Sequence, residues 1–279
     1  MIKNRGLNRF KKNKLAIIGT VLILILVVFS ILAPLIISKD INKVDLMNIS
    51  MSPSKEHILG TDEMGRDVFA RLVYGGRVSL TVGMLGMLIQ IFIGTTLGII
   101  AGFYGGVVDS IIMRIVDVFM CFPFFVIAIA MAAILGPNIW NVIIIIGVLS
   151  WTGIARIVRA EILKLKKSEY IEAAHALGIK NTRILLKHLL PNIIPSVIVA
   201  STLSIASGIL TEASLSFLGM GVKPPQPSWG NMLASAQNMR TLQSEWWLWI
   251  PPGLCVFLTV MSINFMGDGM RDFLDPNVS

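Results

Sequence analysis

The chain has 279 residues, 54% hydrophobic and 14% charged, with a formal net charge of +8. A soluble domain carries about a quarter charged residues, so the deficit points to a membrane protein and argues against an ordinary soluble domain. The basic excess reads as cytoplasmic loops rich in Lys and Arg, not as a nucleic-acid surface, because no basic patch comes with a soluble fold.

A helix needs about 20 apolar residues to cross the hydrocarbon core. Leu15 to Ser38 carries no charge and follows Lys11, Lys12 and Lys14. It exceeds the apolar region of about 7–15 residues usual in a cleaved signal peptide, so it reads as a retained first span. Val78 to Val108 is a second charge-free run, preceded by "RDVFARLVYGG", read as an amphipathic helix at the outer surface. The apolar stretch that follows breaks at "LGPNIWN", a turn signal. That divides it into span three, 108–135, kinked at Pro123, and span four, 140–157. Span five is 189–211. Span six is 246–267 and opens on Trp246, Trp247 and Trp249, an interfacial aromatic belt. Cys121 and Cys255 fall inside apolar runs without ligand or disulfide spacing and read as small buried hydrophobes.

Residues 1–14 hold six Lys/Arg and no acid; residues 156–188 hold eight Lys/Arg against three acids. Both belong in the cytoplasm by the positive-inside rule, and four crossings between them agree in parity. The loop 39–77, with six bases and six acids, is then outside. The resulting architecture is all-α, with six transmembrane helices and both termini inside. Its parts are a basic N-terminus 1–14, a first span 15–38, the outer loop 39–77, a five-helix core 78–267 and a tail 268–279. The core includes a cytoplasmic loop 161–191 and an outer loop 217–245.

"GTDEMGRD" (60–67) has the glycine spacing of a phosphate loop. However, Arg66 replaces the lysine, Asp67 replaces the hydroxyl, and three carboxylates would repel phosphate. It reads as a turn leading into a helix. With no other phosphate loop in the chain, any use of ATP must come from a partner.

The cytoplasmic segment "SEYIEAAHALGIKNTRILLKHLLP" (168–191) reads as helix, turn, helix. Ser168 is the expected N-cap, with Glu169 and Glu172 at the positive end of the helix dipole. Gly178 is the expected left-handed C-cap. Asn181 or Thr182 caps a second helix, which Pro191 marks as it turns into span five. Tyr170, Ala174 and Leu177 share one face with Ile171 beside them, and Ala173 and Ala174 leave little bulk. Physics alone leaves two readings: insertion into a groove on a partner, or rest on the bilayer surface.

"EAAHALGIKNTRILLKHLLP" resembles the EAA loop of ABC importer permeases, matching at Glu172, Ala173, Ala174, Gly178, Leu190 and Pro191; His188 stands where the general pattern has Ile. Further stretches extend the resemblance over almost the whole chain. They are "HILGTDEMGRDVFARLVYGGRVSL", "LTEASLSFLGMGVKPPQPSWG" and "GDGMRDFLDP", all similar to the peptide/nickel subgroup and, more narrowly, to C-type permeases of dipeptide and oligopeptide importers. The resemblance implies a type I importer-like fold in which this loop is a coupling helix. Tyr170, Glu172, Ala173, Ala174, Leu177, Gly178, Leu190 and Pro191 would form its interface with an ATPase. The implied partners are a homologous second permease, two ATPase subunits that hold ATP and magnesium, an extracytoplasmic substrate-binding protein and membrane lipid, with no nucleic acid. The chain itself would bind no cofactor and catalyse nothing. A nickel or metal-chelate importer is the alternative within the subgroup, and an ATP-independent channel a distant one.

Other polar residues have two readings each. Glu212 reads as a structural hydrogen-bonder near the interface, with a functional intramembrane carboxylate as the alternative. Arg114 and Asp117, at i and i+3, are expected to pair on one helix face, away from substrate. The hydroxyls Ser201, Thr202, Ser204 and Ser207 are expected to pack helices and not to line a wet path. Lys223 to Trp229, "KPPQPSW", is a rigid outside turn, and the helix-like "GNMLASAQNM" after it is a candidate contact for the binding protein or outer gate. His57 and His175 lack metal-ligand partners and read as surface residues.

Overall fold

The computed structural model describes residues 13–37 and 40–274. The basic residues 1–12, Lys11 and Lys12 among them, and the last residues of the tail, 275–279, lie outside that description. Helices dominate, and among the described residues β-pairing is limited to one isolated bridge, Thr61 with Asp67.

Helix α1 is Lys14–Ile31, capped by the Asn13 side chain, which accepts from the Ala16 N–H at 3.1 Å. A four-residue helical turn, Ala33–Ile36, follows it. Helix α2, Val68–Tyr104, is 37 residues long and begins at Asp67, whose side chain accepts from the Ala70 N–H. At 1.5 Å per residue α2 spans about 55 Å, well beyond a hydrocarbon core of about 30 Å. The expected outer-surface helix is therefore not a separate element. It is the first part of α2, because nothing in "LVYGGRV" breaks the hydrogen-bond ladder.

Helices α3, Gly106–Cys121, and α4, Phe124–Leu135, meet at 84°. The sequence led to a kinked single helix. In the structure the break is complete: Phe122 and Pro123 are both extended, and Pro123 is the N-cap of α4. Proline pushes its predecessor out of the helical region and offers no N–H, so two extended residues in series end one helix and start another. Cys121, expected to be buried, is exposed at this break.

Helices α5, Ile139–Leu149, and α6, Trp151–Lys166, are interrupted only at Ser150 and form one apolar stretch. They lie along α2 in a constant register. A Cβ at Gly86, Gly94 or Gly102 would strike Ile146, Ile154 or Ile162 at 3.1, 2.6 and 2.8 Å. Each pair differs by 60 in number, so the two rods run in the same direction and the glycines admit the isoleucines.

Helix α7 is Glu169–Ala176. Helix α8, Asn181–Phe217, contains a π-helical turn at Leu185–Leu189. Short helices α9, Trp229–Leu233, and α10, Met239–Ser244, lead to α11, Trp246–Leu274. The last helix continues past Gly267, so residues 268–274, expected in a tail, are helical. Asn13 donates to Asp272 at 3.2 Å, which puts the start of α1 and the end of α11 at the same end of the bundle.

Among the described residues, five stretches are long and apolar enough to cross a membrane, and the bent pair α3–α4 is the candidate sixth. The chain is an integral membrane protein of all-α architecture.

Candidate functional site

The segment 166–191 closes one end of the bundle. Lys166 donates to Phe103 O at 2.8 Å, fastening the end of α6 to the end of α2. Ser168 has the extended backbone of an N-cap, but its hydroxyl donates back to Leu165 O and makes no capping bond. At the other end of α7 the Gly178 N–H bonds His175 O at 3.0 Å and the Ile179 N–H bonds Ala174 O at 3.1 Å. That is a Schellman motif, which needs the φ of +72° that Gly178 adopts. The second helix begins at Asn181 with Lys180 in the capping position, ahead of both expected caps, Asn181 and Thr182, and no side chain caps it.

Pro191 does not end this second helix. The Leu190 N–H bonds Leu185 O, five residues back, and the helix runs on to Phe217. A π turn shifts the ladder just ahead of the residue that cannot donate, so the chain stays helical through the proline. The segment from Asn181 onward is thus continuous with span five.

Helix α7 has two faces. Ile171 and Ala174 are buried in one apolar cluster with Val158 and Ile162 of α6 and Ile184, Leu189 and Ile193 of α8. Tyr170, Glu172, Ala173, Leu177 and Gly178 face outward, Leu177 at 80% exposure. Of the residues expected on that surface, Ala174 is turned into the chain's own core beside Ile171, and Leu190 is half-buried against the same cluster. The sequence pattern names small residues without saying which of two adjacent alanines points outward. The packing of Ile171, which the interface reading left aside, decides it. Tyr170 and His188 approach with ring centroids 6.4 Å apart, so the histidine at the pattern's apolar position borders the outward face.

Further along the bundle, Asp117 does not pair with Arg114. It accepts from Arg156 of α6 at 2.6 Å, and Asp109 binds Arg159 through two contacts of 2.5 and 2.6 Å. Arg114 is exposed. The i, i+3 pair loses because the guanidiniums of α6 reach both carboxylates of α3 from the side. Arg156 and Arg159, themselves three apart, were the sequence signal for this strap.

The opposite end of the bundle is a polar cap. Glu212 is completely buried. Its carboxyl group accepts from Ser79 at 2.8 Å and from Ser216 at 2.7 Å. Ser79 in turn accepts the Trp229 N–H at 3.2 Å. Glu212 thereby ties α2 and α8 to the 219–229 turn, the structural role favoured from sequence. Arg71, also buried, donates to Ile41 O and Pro225 O and stands 3.6 Å from Asp62. Asp62 accepts the N–H groups of Met64 and Arg66, and Asp67 caps α2. Asp62 and Asp67 of "GTDEMGRD" therefore bind their own loop and helix, and the segment is a turn leading into a helix. His57 is half-buried and bonded to Asp67 at 2.9 Å, so it is not the surface residue expected. His175 is exposed. Between these segments lies an open recess of about 410 Å³, with Arg71, Asn231 and Asn238 on its walls. The span-five hydroxyls divide: Thr202 and Ser204 are buried in packing, whereas Ser207 is exposed.

The comparisons with known proteins agree with this architecture. The family model described as a binding-protein-dependent transport system inner membrane component matches residues 94–279. That of the N-terminal TM domain of oligopeptide transport permease C matches residues 5–53. A dipeptide transport system permease protein of Alkalihalophilus pseudofirmus is 43% identical over 97% of this chain and 88% of its own length. An oligopeptide transport system permease protein of Bacillus subtilis is 38% identical over 97% and 88%. Among solved structures, an inward-facing methionine ABC transporter matches with a TM-score of 0.60 at 22% identity, over 74% of this chain and 98% of that one, which supports the fold. A bundle of apolar helices with a two-faced helical knob at one end, and these matches along nearly its full length, make the chain a member of the inner-membrane permease family of binding-protein-dependent transport systems.

Proposed function

We propose that the chain is a permease subunit of an ATP-driven importer of dipeptides or oligopeptides in a bacterial cytoplasmic membrane. It forms half of the translocation pathway beside a homologous permease. Two ATPase subunits act from the cytoplasm and a substrate-binding protein delivers from outside. The positive-inside count supports the orientation, with α7 and both termini in the cytoplasm. The names of the relatives, dipeptide and oligopeptide permeases at about 40% identity over nearly the whole chain, favour peptide over metal chelate.

The two-faced α7 carries the coupling role. Tyr170, Glu172, Ala173, Leu177 and Gly178 offer an outward surface to the ATPase, while Ile171 and Ala174 peg the helix to α6 and α8. A displacement imposed on the outward face must move both long helices, since close-packed apolar contacts do not yield continuously. ATP shifts the transporter only by binding one arrangement better than the other, and α7 conveys that difference. The chain contributes no chemistry of its own, and ATP and magnesium belong to the ATPase partners.

The decisive experiment is uptake of labelled di- and oligopeptides by the complete complex in proteoliposomes, with a nickel chelate in parallel. ATP-dependent peptide uptake, lost when Glu172→Lys is introduced, is expected. Uptake of the nickel chelate alone would overturn the peptide reading, and undiminished transport with Glu172→Lys would overturn the coupling reading.

A further inference from the structure

The open faces of α1 and α8 differ in chemistry. That of α1 carries Leu24, Ile25, Val28 and Phe29, all apolar, as contact with lipid chains favours. That of α8 carries Leu203, Ser207, Leu210, Thr211, Ser214 and Phe217, open or half-open. These residues stand three and four apart, so they stack on one side of the helix over about 21 Å.

Lipid gives no return for hydroxyls on such a face, because hydrocarbon offers them no partner. Here each hydroxyl spends its hydrogen on its own helix: Ser207 donates to Ser204 O at 3.2 Å, Thr211 to Ser207 O at 2.8 Å and Ser214 to Leu210 O at 2.8 Å. What remains pointing outward are lone pairs, which accept. The stripe carries no charge. Glu212, the one carboxylate between Leu203 and Phe217, is drawn to the opposite side by Ser79 and Ser216. At the outer end of the stripe an open recess of about 460 Å³ has an almost wholly apolar lining, with Leu210 and Phe217 facing Phe125, Leu233 and Val256.

We propose that this stripe is the chain's wall of the peptide path and that the recess receives an apolar side chain of the peptide in transit. The assignment rests on the peptide reading above. Backbone N–H groups and the α-ammonium of a peptide donate to the oxygens of Ser207, Thr211 and Ser214. An acceptor wall without formal charge binds the backbone that all peptides share and does not sort acidic from basic side chains.

The test uses the complete transporter in proteoliposomes, with Cys121→Ser and Cys255→Ala as background. Ser207→Cys, Thr211→Cys and Ser214→Cys are each probed with a membrane-impermeant thiosulfonate, and Val28→Cys on α1 is the lipid-facing control. Labelling at the three α8 positions but not at 28, slowed by trialanine with binding protein and ATP, is expected. In the untagged background, Ser207→Ala, Thr211→Val and Ser214→Ala combined should raise the KM for trialanine about tenfold or more, the loss of a few neutral hydrogen bonds, at unchanged melting temperature. Labelling no faster than at 28 would overturn the assignment while wild-type trialanine uptake stands, since lipid or the second permease would then cover the stripe. Labelling that trialanine does not slow would overturn it too. Absence of wild-type uptake of every peptide tried would overturn both this inference and the peptide reading.

Discussion

The two ends of the molecule are held by opposite means. The polar cap is locked by buried polar bonds: Glu212 to two serines, Arg71 to two carbonyls, and Asp62 and Asp67 to backbone N–H groups. The helical knob at the other end is held by apolar pegs, Ile171 and Ala174, and by one glycine turn, with its charged and polar side chains left outward. Buried polar bonds fix a geometry, because each donor left without its acceptor costs free energy. Apolar pegs resist separation with less demand on direction. The cap is built to keep one shape, whereas the knob is built to stay attached and present a surface.

The most severe test of that contrast is Glu212→Ala. It leaves the hydroxyls of Ser79 and Ser216 buried without their acceptor, a loss on the order of 3–5 kcal/mol. The complex should melt at clearly lower temperature and accumulate poorly, with Glu212→Gln less affected; a melting temperature within error of wild type would refute the lock. Ile171→Ala comes next, at about 2–4 kcal/mol for a large-to-small change in a packed site. It should loosen the knob while the cap stays intact, read as faster hydrogen exchange confined to 166–191. Exchange raised equally at the cap would mean that the two ends are one cooperative unit.

Gly178→Val should cost about 1–2 kcal/mol, because a β-branched residue resists φ of +72°. Nothing lies within 4 Å of the added Cβ, so the cause is backbone conformation and not a clash. Gly178→Asn should therefore retain most ATP-coupled uptake where Gly178→Val loses it; equal loss would point to bulk instead. The smallest effect on stability is Leu177→Glu, within about 0.5 kcal/mol for an exposed position. Its melting curve should match wild type while copurification of the ATPase falls. Unchanged copurification would remove Leu177 from the interface.

Much of the architecture was legible in the chain. Long uncharged runs can only be satisfied in lipid as helices, so the spans announced themselves, and the glycine after "EAAHAL" announced its turn. Less legible was how neighbouring segments join. Pro123 and Pro191 are the same residue in similar apolar surroundings, yet one divides a helix and the other is absorbed by a π turn. The difference lies in whether the preceding residues can shift their hydrogen bonds by one, a choice made by packing and not by composition. The site shows the same limit: of the residues expected to share one surface, Glu172, Ala173 and Gly178 are exposed, whereas Ala174 and Leu190 pack into the apolar anchor.

The sequence by itself determined that this is a helical membrane protein, where its apolar spans lie, and which loop turns at Gly178, because these follow from local hydrophobicity and turn chemistry. Only the tertiary structure decided that Asp117 bonds Arg156 and not Arg114, that Glu212 faces inward and leaves a neutral stripe on α8, and that Ile171 holds the knob. Those outcomes depend on which helix lies beside which, and a pairing between residues dozens to more than a hundred positions apart is settled by the packed fold rather than by spacing along the chain.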